Sequence, residues 1–519
     1  MKLIHQGLAI ICLALVISHS SLSGQAESAI PYKEPWRPQF HFSPERNWMN
    51  DPNGMVFYEG EYHLFYQYNP FGDKWGHMSW GHAVSPDLVH WKHLPLALAE
   101  ENGVMIFSGS AVVDWKNTSG FGKDGKPPMI AIYTGHYTEK PLQNQQIAYS
   151  NDRGRTWTKF AGNPVLDLGE KDFRDPKVFW HEPTKRWVMV VSWPVHRKVR
   201  FYSSPNLKNW THLSDFGPGG STSGIWECPD LFPIKIEGRR HAEKWALIVN
   251  VGSGAPAGGS GCQYFIGDFD GKQFTPANSP RRPPGEPLWA DWGRDFYAAV
   301  SWSDIPKQDG RRLWLGWMSN WEYAQDVPTS PWRSAMTVAR ELTLRQTPGG
   351  LRLVQQPVKE LRSLRGQVTR SSFKRLTSGT SAAASASGDL LDINADIKAS
   401  RDAVFTLKLK SGANESNDLH VDIQARQMWL DRKNSGKVDF HPKFPGSYSA
   451  PVRLVDGRLK LRILADNSSL EIFANDGEAA LTSLFIPSSA SRLIELHVER
   501  GSIGRADFET WPLKPIWKR

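Results

Sequence analysis

Tyr62-His63-Leu64-Phe65-Tyr66 is the first of five short apolar runs that recur along residues 40–344 of the 519-residue chain. Successive runs begin 67, 58, 58 and 68 residues apart, which is too regular for independent hairpins. A unit of this length holds about four short strands, and repeated four-stranded units are typical of β-propeller blades. We therefore predict a five-bladed β-propeller. The other runs are Met129-Ile130-Ala131-Ile132-Tyr133, Trp187-Val188-Met189-Val190-Val191, Trp245-Ala246-Leu247-Ile248-Val249 and Leu313-Trp314-Leu315-Gly316-Trp317.

A second shared pattern follows each of the first four runs. It consists of a Ser or Gly, then an acid or amide, then an aromatic residue. Asp and Asn side chains cap tight turns by accepting backbone hydrogen bonds, so we expect a capped hairpin turn whose aromatic residue fills the gap to the next unit. The segments are residues 85–91, 150–157, 204–210 and 267–274.

The strand before each apolar run carries the candidate chemistry. In a propeller the first strand of each blade lines the central axis, so residues at equal positions in different blades converge. Asp51, Asp175 and Glu227 occupy that position in the first, third and fourth units. Each acid alone could simply cap its own turn, but three acids at matching positions, each within two residues of a proline, indicate one site. The superimposed segments are residues 50–54, 107–111, 173–177, 226–230 and 295–299.

The N-terminus predicts export. Residues 1–26 combine Lys2, an apolar stretch over residues 8–17 and a small, polar end, which is the pattern of a secretory signal peptide. That stretch is too short to span a bilayer and no later one is long enough, so we expect a secreted protein, extracellular or periplasmic, with no membrane partner. The net charge of +9 is spread along the chain without basic runs, which argues against a nucleic-acid partner.

Cysteine and histidine usage predicts no metal and no cofactor. Cys12 belongs to the signal segment, which leaves Cys228 and Cys262, and we expect both to be free buried thiols. The sequence has no CxxC pair and no HExxH motif, so a zinc site is not expected. His77 and His82 are interpreted as packing or hydrogen-bonding residues.

The residue pattern of the sequence changes after the fifth repeat. We place the propeller at residues 37–345, a linker at 346–368 and a second domain at 369–519. In the second domain, strands of alternating polarity such as residues 402–409 and 458–464 are separated by short turn signals, which predicts a β-sandwich. Its acids Asp466 and Glu471 are interpreted as part of a solvated face.

The local surroundings of the three acids suggest a division of labour. Asp51 lies among amides, so we expect it to stay ionised and act as a nucleophile. Glu227 lies beside Trp226, Cys228 and Pro229, and these neighbours favour a protonated general acid. Asp175 follows Arg174, whose charge would keep it ionised and able to bind hydroxyls and stabilise a cationic transition state.

Three motifs together resemble the signatures of glycoside hydrolase family 32, the fructan hydrolases and invertases. They are Trp48-Met49-Asn50-Asp51-Pro52-Asn53-Gly54, Phe173-Arg174-Asp175-Pro176 and Glu227-Cys228-Pro229, and the resemblance covers essentially the whole mature chain. It implies an all-β fold, a five-bladed propeller followed by a β-sandwich. It also implies a secreted, retaining β-fructofuranosidase that releases terminal fructosyl units from levan, inulin or sucrose, more similar to levanases and exo-inulinases than to intracellular sucrases.

The same resemblance assigns roles to individual residues. It implies that Asp51 is the nucleophile, Glu227 the acid/base and Asp175 the transition-state stabiliser that holds fructose hydroxyls. The family's substrate-binding positions match Asn50, Gln67, Trp75, Phe107, Ser108, Arg174 and Trp321 of this sequence.

Three alternatives stay open on the sequence. A transfructosylating enzyme shares all of these residues, and a non-catalytic sugar-binding propeller could use the acids only to hold hydroxyls. A sialidase is a third alternative, because Ser150-Asn151-Asp152-Arg153-Gly154-Arg155-Thr156-Trp157 fits the repeated box of that class. Only one unit matches it fully, so we interpret this box as a blade turn. Linkage preference, exo or endo action and oligomeric state are left undetermined by the sequence.

Overall fold

The computed structural model describes residues 32–239, 242–277, 285–386, 388–412, 414–489 and 492–517. The predicted signal segment, residues 1–26, lies outside this part. The described residues form seven β-sheets and only two short 3₁₀ segments, Pro194–His196 and Lys359–Leu364. Five sheets form a propeller and two form a sandwich, which confirms the predicted fold class. Within the described ranges, no helix has the length and apolar character needed to cross a bilayer.

Each of the first three blades is an antiparallel sheet whose strands follow chain order. The run Tyr62-His63-Leu64-Phe65-Tyr66 lies in the second strand of the first blade, where almost every side chain is buried between blades. The strands are β1 (Asn47–Tyr58), β2 (Glu61–Asn69), β3 (Ser79–Ser85) and β4 (Lys92–Leu98); β5 (Val104–Val113), β6 (Met129–Tyr137), β7 (Leu142–Ser150) and β8 (Thr158–Lys159); and β9 (Arg174–His181), β10 (Arg186–Trp193), β11 (Lys198–Ser204) and β12 (Thr211–Phe216).

The last two blades follow the same plan with short additional strands. Their strands are β13 (Trp226–Lys235), β14 (Glu243–Val251), β15 (Gly261–Phe269), β16 (Phe274–Pro276) and β17 (Leu288–Trp289), and then β18 (Tyr297–Ser301), β19 (Arg312–Met318), β21 (Ala335–Met336), β22 (Arg340–Thr347) and β23 (Gly350–Pro357). Between β19 and β21 the chain forms β20 (Trp332–Arg333), which joins the sheet of the first blade.

The ring closes between the fifth and first blades. β20 pairs in parallel with the start of β1, where Asn47 N donates to Pro331 O at 2.6 Å. Near the other end of β1, Phe57 N donates to Ser303 O at 3.0 Å. The first strands of neighbouring blades contact one another in the order β1, β5, β9, β13, β18 and back to β1. These five strands therefore line the axis, as the repeat predicted.

Every axial strand carries a β-bulge near its start, and the bulges correct the predicted alignment. When the axial strands are aligned on their bulges, Asp175 occupies the same position as Asn50 and Cys228. Asp51 lies one residue after this common position, and Glu227 lies one residue before it. The prediction that the three acids occupy identical positions is therefore wrong by one residue for two of them. The bulges fall at Met49/Pro52, Ile106/Gly109, Arg174/Lys177, Glu227/Asp230 and Tyr297/Val300.

The capped turns are confirmed, but their aromatic residues pack in the other direction. Asp152 Oδ1 accepts the Thr156 backbone N–H at 2.9 Å and Asp152 Oδ2 accepts its hydroxyl at 2.6 Å. The Trp157 ring then lies edge-on against Phe65, at 5.6 Å between centroids. Phe65 belongs to the preceding blade, so the aromatic residue of the turn fills the gap to the preceding blade and not to the next one. The sialidase-like box is a blade turn.

The sandwich consists of two six-stranded antiparallel sheets whose inner faces form one apolar core. The strand orders are β24-β35-β26-β31-β32-β33 and β25-β34-β27-β28-β29-β30. These strands are β24 (Thr369–Thr377), β25 (Ser381–Ala384), β26 (Leu391–Ala399), β27 (Val404–Lys410), β28 (Ser416–Asp422), β29 (Gln427–Asp431), β30 (Ser447–Pro451), β31 (Arg458–Ala465), β32 (Ser469–Ala474), β33 (Ala479–Leu484), β34 (Leu493–Arg500) and β35 (Ser502–Pro512).

The predicted linker at residues 346–368 is placed too early. β22 continues to Thr347, and β23 pairs with it along its whole length as the outer strand of the fifth blade. Residues 346–357 therefore belong to the propeller. The connection to the sandwich runs from Val358 through the 3₁₀ segment Lys359–Leu364 to Thr369, where β24 begins.

A buried ion network joins the two domains and corrects a second prediction. His41 of the propeller contacts Asp466 Oδ2 through Nδ1 at 2.7 Å and Glu471 Oε1 through Nε2 at 2.8 Å. Arg340 Nε donates to Glu471 Oε2 at 2.9 Å, and its Nη1 donates to Asp291 Oδ2 at 3.0 Å. All five side chains are fully buried. Asp466 and Glu471 are thus interdomain ion partners and do not lie on a solvated face.

We expect the protein to lose stability at alkaline pH because of His41. Burial alone would lower the pKa of His41, but hydrogen bonds and charges from Asp466 and Glu471 raise it from 6.5 to about 9. The charged form is favoured by folding, so its contribution is complete below pH 6.5 and is lost as the pH rises through 9. The contribution is on the order of 3 kcal/mol.

Thermal unfolding of the wild type and His41→Gln below pH 6.5 and above pH 9 measures this contribution. The wild type should lose more Tm at high pH than His41→Gln. The exposed His212 supplies the control His212→Gln, which should follow the wild type. Parallel losses in the wild type and His41→Gln would show that the network is not held by a charged histidine.

Candidate active site

Asp51 is held by two side-chain donors at the bulge of β1. Trp48 Nε1 donates to Asn50 Oδ1 at 2.7 Å, which orients the amide so that Asn50 Nδ2 donates to Asp51 Oδ1 at 3.0 Å. Ser108 Oγ, from the corresponding bulge of β5, donates to Asp51 Oδ2 at 2.7 Å. Each carboxylate oxygen therefore accepts at least one hydrogen bond from the protein.

Cys228 links Asp51 to Asp175. Its backbone N–H donates to Asp175 Oδ2 at 2.9 Å, and its Sγ lies 3.6 Å from the same oxygen and 3.4 Å from Asp51 Oδ2. Asp175 and Cys228 both have positive φ, 67° and 43°, because each lies in the bulge of its axial strand. Burial and the charges of the three acids raise the pKa of the Cys228 thiol well above its usual value, so it stays a neutral donor.

Glu227 has polar partners on both oxygens. Its Oε1 accepts hydrogen bonds from Arg174 Nε at 3.0 Å and Nη2 at 2.9 Å, and its Oε2 accepts one from the Tyr297 hydroxyl. Arg174 Nη1 is fixed in turn by Gln143 Oε1 at 3.1 Å. Trp226 points into the core and donates to Ser221 O. The sequence neighbours of Glu227 therefore do not set its environment as predicted, because Arg174 and Tyr297 contact it from other blades.

Burial, together with the charges of neighbouring acids, raises the pKa of Asp51 and of Asp175. Burial raises the pKa of Asp51, the charge of Glu227 adds to this, and the donors Ser108 and Asn50 oppose it. Burial also raises the pKa of Asp175 to about 7; Arg174 acts against burial, while the charges of Glu227 and Asp51 add to it. Arg174 thus acts in the predicted direction, but burial outweighs it and the net shift of the Asp175 pKa is upward.

The predicted aromatic positions lie on the rim around the acids. Trp75 is 39% exposed and packs edge-on against Phe107 at 6.1 Å between centroids. Phe107 stacks in turn on His136 at 4.4 Å. Gln67 is different: its side chain is buried and donates to Ile106 O at 2.9 Å, so it fixes β5 rather than the rim.

The structure separates Trp321 from the other tryptophans near it. Trp317 and Trp332 are buried in the core, whereas Trp321 is half-buried and shares an open cavity with Glu227. Its ring packs on Trp48 at 6.1 Å and on Trp317 at 4.7 Å between centroids. Trp321 is therefore the tryptophan of this group that can meet a ligand.

The cysteines and histidines that were predicted to have no chemical role are free thiols or packing and hydrogen-bonding residues in the structure. Cys228 and Cys262 are both free and buried, as expected, although Cys228 contacts the site. His82 is buried against Phe65 at 4.0 Å between ring centroids, and the exposed His77 binds Glu100 at 2.8 Å.

Two contacts of the site were missed in the sequence. Cys228 stands in the motif beside Glu227, and that adjacency was an available signal. Tyr297 was aligned with the axial strand of the fifth blade, but nothing in its neighbourhood indicates a hydrogen bond to Glu227.

Taken together, the site can perform acid/base and nucleophilic chemistry on an uncharged, hydroxyl-rich ligand. It offers three carboxyl groups within one funnel, donors that orient each of them and a rim of aromatic rings. Cleavage of a glycosidic bond needs a carboxylic acid to protonate the leaving oxygen and a carboxylate opposite the anomeric carbon. The fold and the site define a glycoside hydrolase.

Comparison with known families agrees with this class. The model of the glycosyl hydrolases family 32 N-terminal domain matches residues 41–357, and that of the family's C-terminal domain matches residues 360–512. The chain belongs to glycosyl hydrolases family 32, so the resemblance of its three motifs is confirmed.

Two relatives of known name match this chain over most of their own length. A levanase of Bacillus subtilis (strain 168) is 51% identical over 509 residues, covering 96% of this chain and 73% of that protein. An extracellular exo-inulinase of Aspergillus awamori is 41% identical over 494 residues, covering 89% of this chain and 91% of its own.

Solved structures share the two-domain fold. A crystal structure of exo-inulinase from Aspergillus awamori superimposes with a TM-score of 0.89 at 38% identity, covering 94% of this chain and 100% of that one. The β-fructofuranosidase of Schwanniomyces occidentalis complexed with fructosyl-erythritol gives 0.85 at 33% identity, covering 94% and 99%.

Ser108→Ala should move the acidic limb of the pH profile for glycoside hydrolysis. The hydroxyl of Ser108 stabilises ionised Asp51, so its removal raises the pKa of Asp51 further. We expect the acidic limb of kcat/KM to shift upward by about one pH unit. Ser110→Ala is the matched control, because Ser110 donates to Pro176 O and not to an acid. An unmoved limb in Ser108→Ala would exclude ionised Asp51 from the reaction.

Tyr297→Phe should lower kcat by about tenfold with little change in Tm, because Glu227 loses the donor that fixes Oε2. Steady-state kinetics and thermal unfolding measure the two effects. Tyr202→Phe is a suitable control, since the buried Tyr202 hydroxyl has no partner among the described residues. If both variants keep the wild-type kcat, Tyr297 does not position Glu227.

Proposed function

We propose that this protein is a secreted, retaining β-fructofuranosidase that removes terminal fructosyl units from fructans and sucrose. The observation that supports this most strongly is the convergence of Asp51, Asp175 and Glu227 in one funnel, linked by Cys228 and Arg174. Relatives named levanase and exo-inulinase support levan and inulin as substrates.

In the first step Asp51 attacks the anomeric carbon of the terminal fructosyl unit. A bond forms between a carboxylate oxygen of Asp51 and this carbon, while the bond to the leaving oxygen breaks. Glu227 gives its proton to that oxygen, so the leaving sugar departs as an alcohol. The hydrogen bonds from Asn50 and Ser108 keep the Asp51 carboxylate oriented towards the substrate.

In the second step water releases fructose. Ionised Glu227 takes a proton from water, the water oxygen bonds to the anomeric carbon and the ester to Asp51 breaks. Two displacements at one carbon return the original configuration. Arg174 donates to Glu227 throughout, and Tyr297 holds its other oxygen, so the carboxyl group stays in place while its charge changes.

Asp175 is assigned to binding and stabilisation. It lies beside Asp51 through the shared Cys228 contact, and its carboxylate can accept hydrogen bonds from two substrate hydroxyls. A cationic transition state between Asp51 and Asp175 gains from both negative charges. Substrate hydroxyls replace part of the lost hydration, which favours the ionised form of Asp175 in the complex.

Secretion is part of the proposal. It rests on the signal pattern of residues 1–26 and on relatives named extracellular exo-inulinase. The N-terminal sequence of the protein recovered from the culture medium tests it, since a mature chain should begin after the small and polar residues that close this segment.

Incubation with sucrose, inulin and levan tests the activity. We expect free fructose as the first product from all three, because one funnel receives a chain end. Product analysis by chromatography distinguishes this from a ladder of oligosaccharides, which would indicate endo-cleavage. No fructose from any of the three substrates would falsify the proposal.

Glu227→Gln tests the assignment of the general acid. The amide keeps the shape of the side chain but cannot give a proton, so kcat should fall by roughly 10²–10⁴-fold with the fold intact. Glu182→Gln is the control, because Glu182 is an exposed glutamate at the other end of β9. A near-normal rate for Glu227→Gln would remove Glu227 from the acid/base role.

A further inference from the structure

An open cavity of about 510 Å³ lies against Glu227. Residues 223–225, the turn at Gly252 and Ser253, Arg197 and Trp321 form its walls. The volume falls within the roughly 300–1,000 Å³ that small-molecule sites occupy. It is therefore large enough for a sugar unit.

Glu227 is the only one of the three acids that lines this cavity. A Cβ added at Gly252 would lie 3.9 Å from Glu227 Oε2, so the cavity wall directly adjoins the carboxyl group. The general acid delivers its proton to the oxygen of the leaving group. The leaving group must consequently lie on the side of Glu227, and this cavity is the space there.

Arg197 brings unused donors to the cavity. It ends the 3₁₀ segment Pro194–His196 with φ 50°, and its backbone N–H donates to Pro194 O at 3.0 Å. Its Nη1 donates to Val195 O at 2.8 Å, and its Nη2 has no hydrogen-bond partner among the described residues. Arg197 forms no ion pair with a carboxylate in the part of the chain that the structure describes. Its guanidinium can thus donate to a ligand.

Trp321 supplies the apolar side of the same cavity. Its ring is held by Trp48 and Trp317, so it is a rigid surface before any ligand arrives. Aromatic rings pack on the C–H faces of sugars, while a guanidinium fork binds pairs of oxygens. An arginine and a tryptophan together suit an uncharged ring that carries several hydroxyls.

Resting on the proposed function, we propose that Arg197 is a binding residue for the leaving sugar, whose hydroxyls accept hydrogen bonds from its guanidinium in this cavity. Arg174 is less suited to this role, because Glu227, Gln143 and Asp172 accept four of its five N–H donors. Arg197 contacts only the leaving side, so it affects binding of the leaving unit and not the chemistry at the anomeric carbon.

The test compares two substrates that differ only in the leaving group. A short fructan oligosaccharide carries a fructosyl leaving unit, and methyl β-D-fructofuranoside carries a methyl group that does not reach Arg197. Arg197→Met keeps the length of the side chain and removes its donors. We expect it to lower kcat/KM for the oligosaccharide by about 10-fold to 100-fold, mainly through KM. For the methyl glycoside the change should stay below about twofold.

Two further variants sharpen the result. Arg197→Lys restores one donor and should recover part of the activity on the oligosaccharide. Arg426→Met removes an exposed arginine of the sandwich and should leave both substrates unchanged. Equal losses on both substrates, or no loss on either, would overturn the assignment of Arg197 while leaving the proposed function standing. A wild-type protein that hydrolyses neither substrate would overturn the proposed function itself.

Discussion

The bulge at the start of each axial strand is the constraint on which the site depends. A regular strand would turn successive side chains to opposite faces, whereas the bulge adds a residue and re-aims the side chains beside it. In β1, β9 and β13 these side chains are Asp51, Asp175 and Glu227. Burial and mutual repulsion raise the pKa of Asp51 and Asp175, and Arg174 and donors from neighbouring strands offset part of this cost.

Buried charges that compensate one another also lie between the two domains. His41 and Arg340 from the propeller meet Asp466 and Glu471 from the sandwich without exposure to solvent. Removing one partner of such a network leaves an uncompensated buried charge, which is strongly destabilising. The sandwich thereby fixes the fifth blade and the N-terminal segment, whose residues lead directly into β1. A domain remote from the chemistry in this way supports the strand that carries Asp51.

The sequence predicted what leaves a local or periodic trace. Five apolar runs at a near-constant spacing predicted the blades, and the motifs around Asp51, Asp175 and Glu227 predicted the convergence of the acids. Asp51 and Glu227 each lie one residue away from the position of Asp175, which was not predicted because a bulge shifts the register without changing the composition. Tyr297 and Arg197 were missed, since their relation to Glu227 exists only across blades. Glu471 was interpreted as solvated because the alternating polarity of a strand gives no sign of a contact with a residue as far away in the sequence as His41.

The most direct measurement of the proposed double displacement is the stereochemistry of transfer to methanol. Methanol traps the fructosyl group before it can mutarotate, and the anomer formed is read by NMR. If Asp51 forms a covalent intermediate while Glu227 acts as acid and base, methanol enters on the face that the leaving group vacated and the product is methyl β-D-fructofuranoside. Formation of the α-anomer would mean a single displacement by the acceptor, and it would contradict the assignment of Asp51 as the nucleophile.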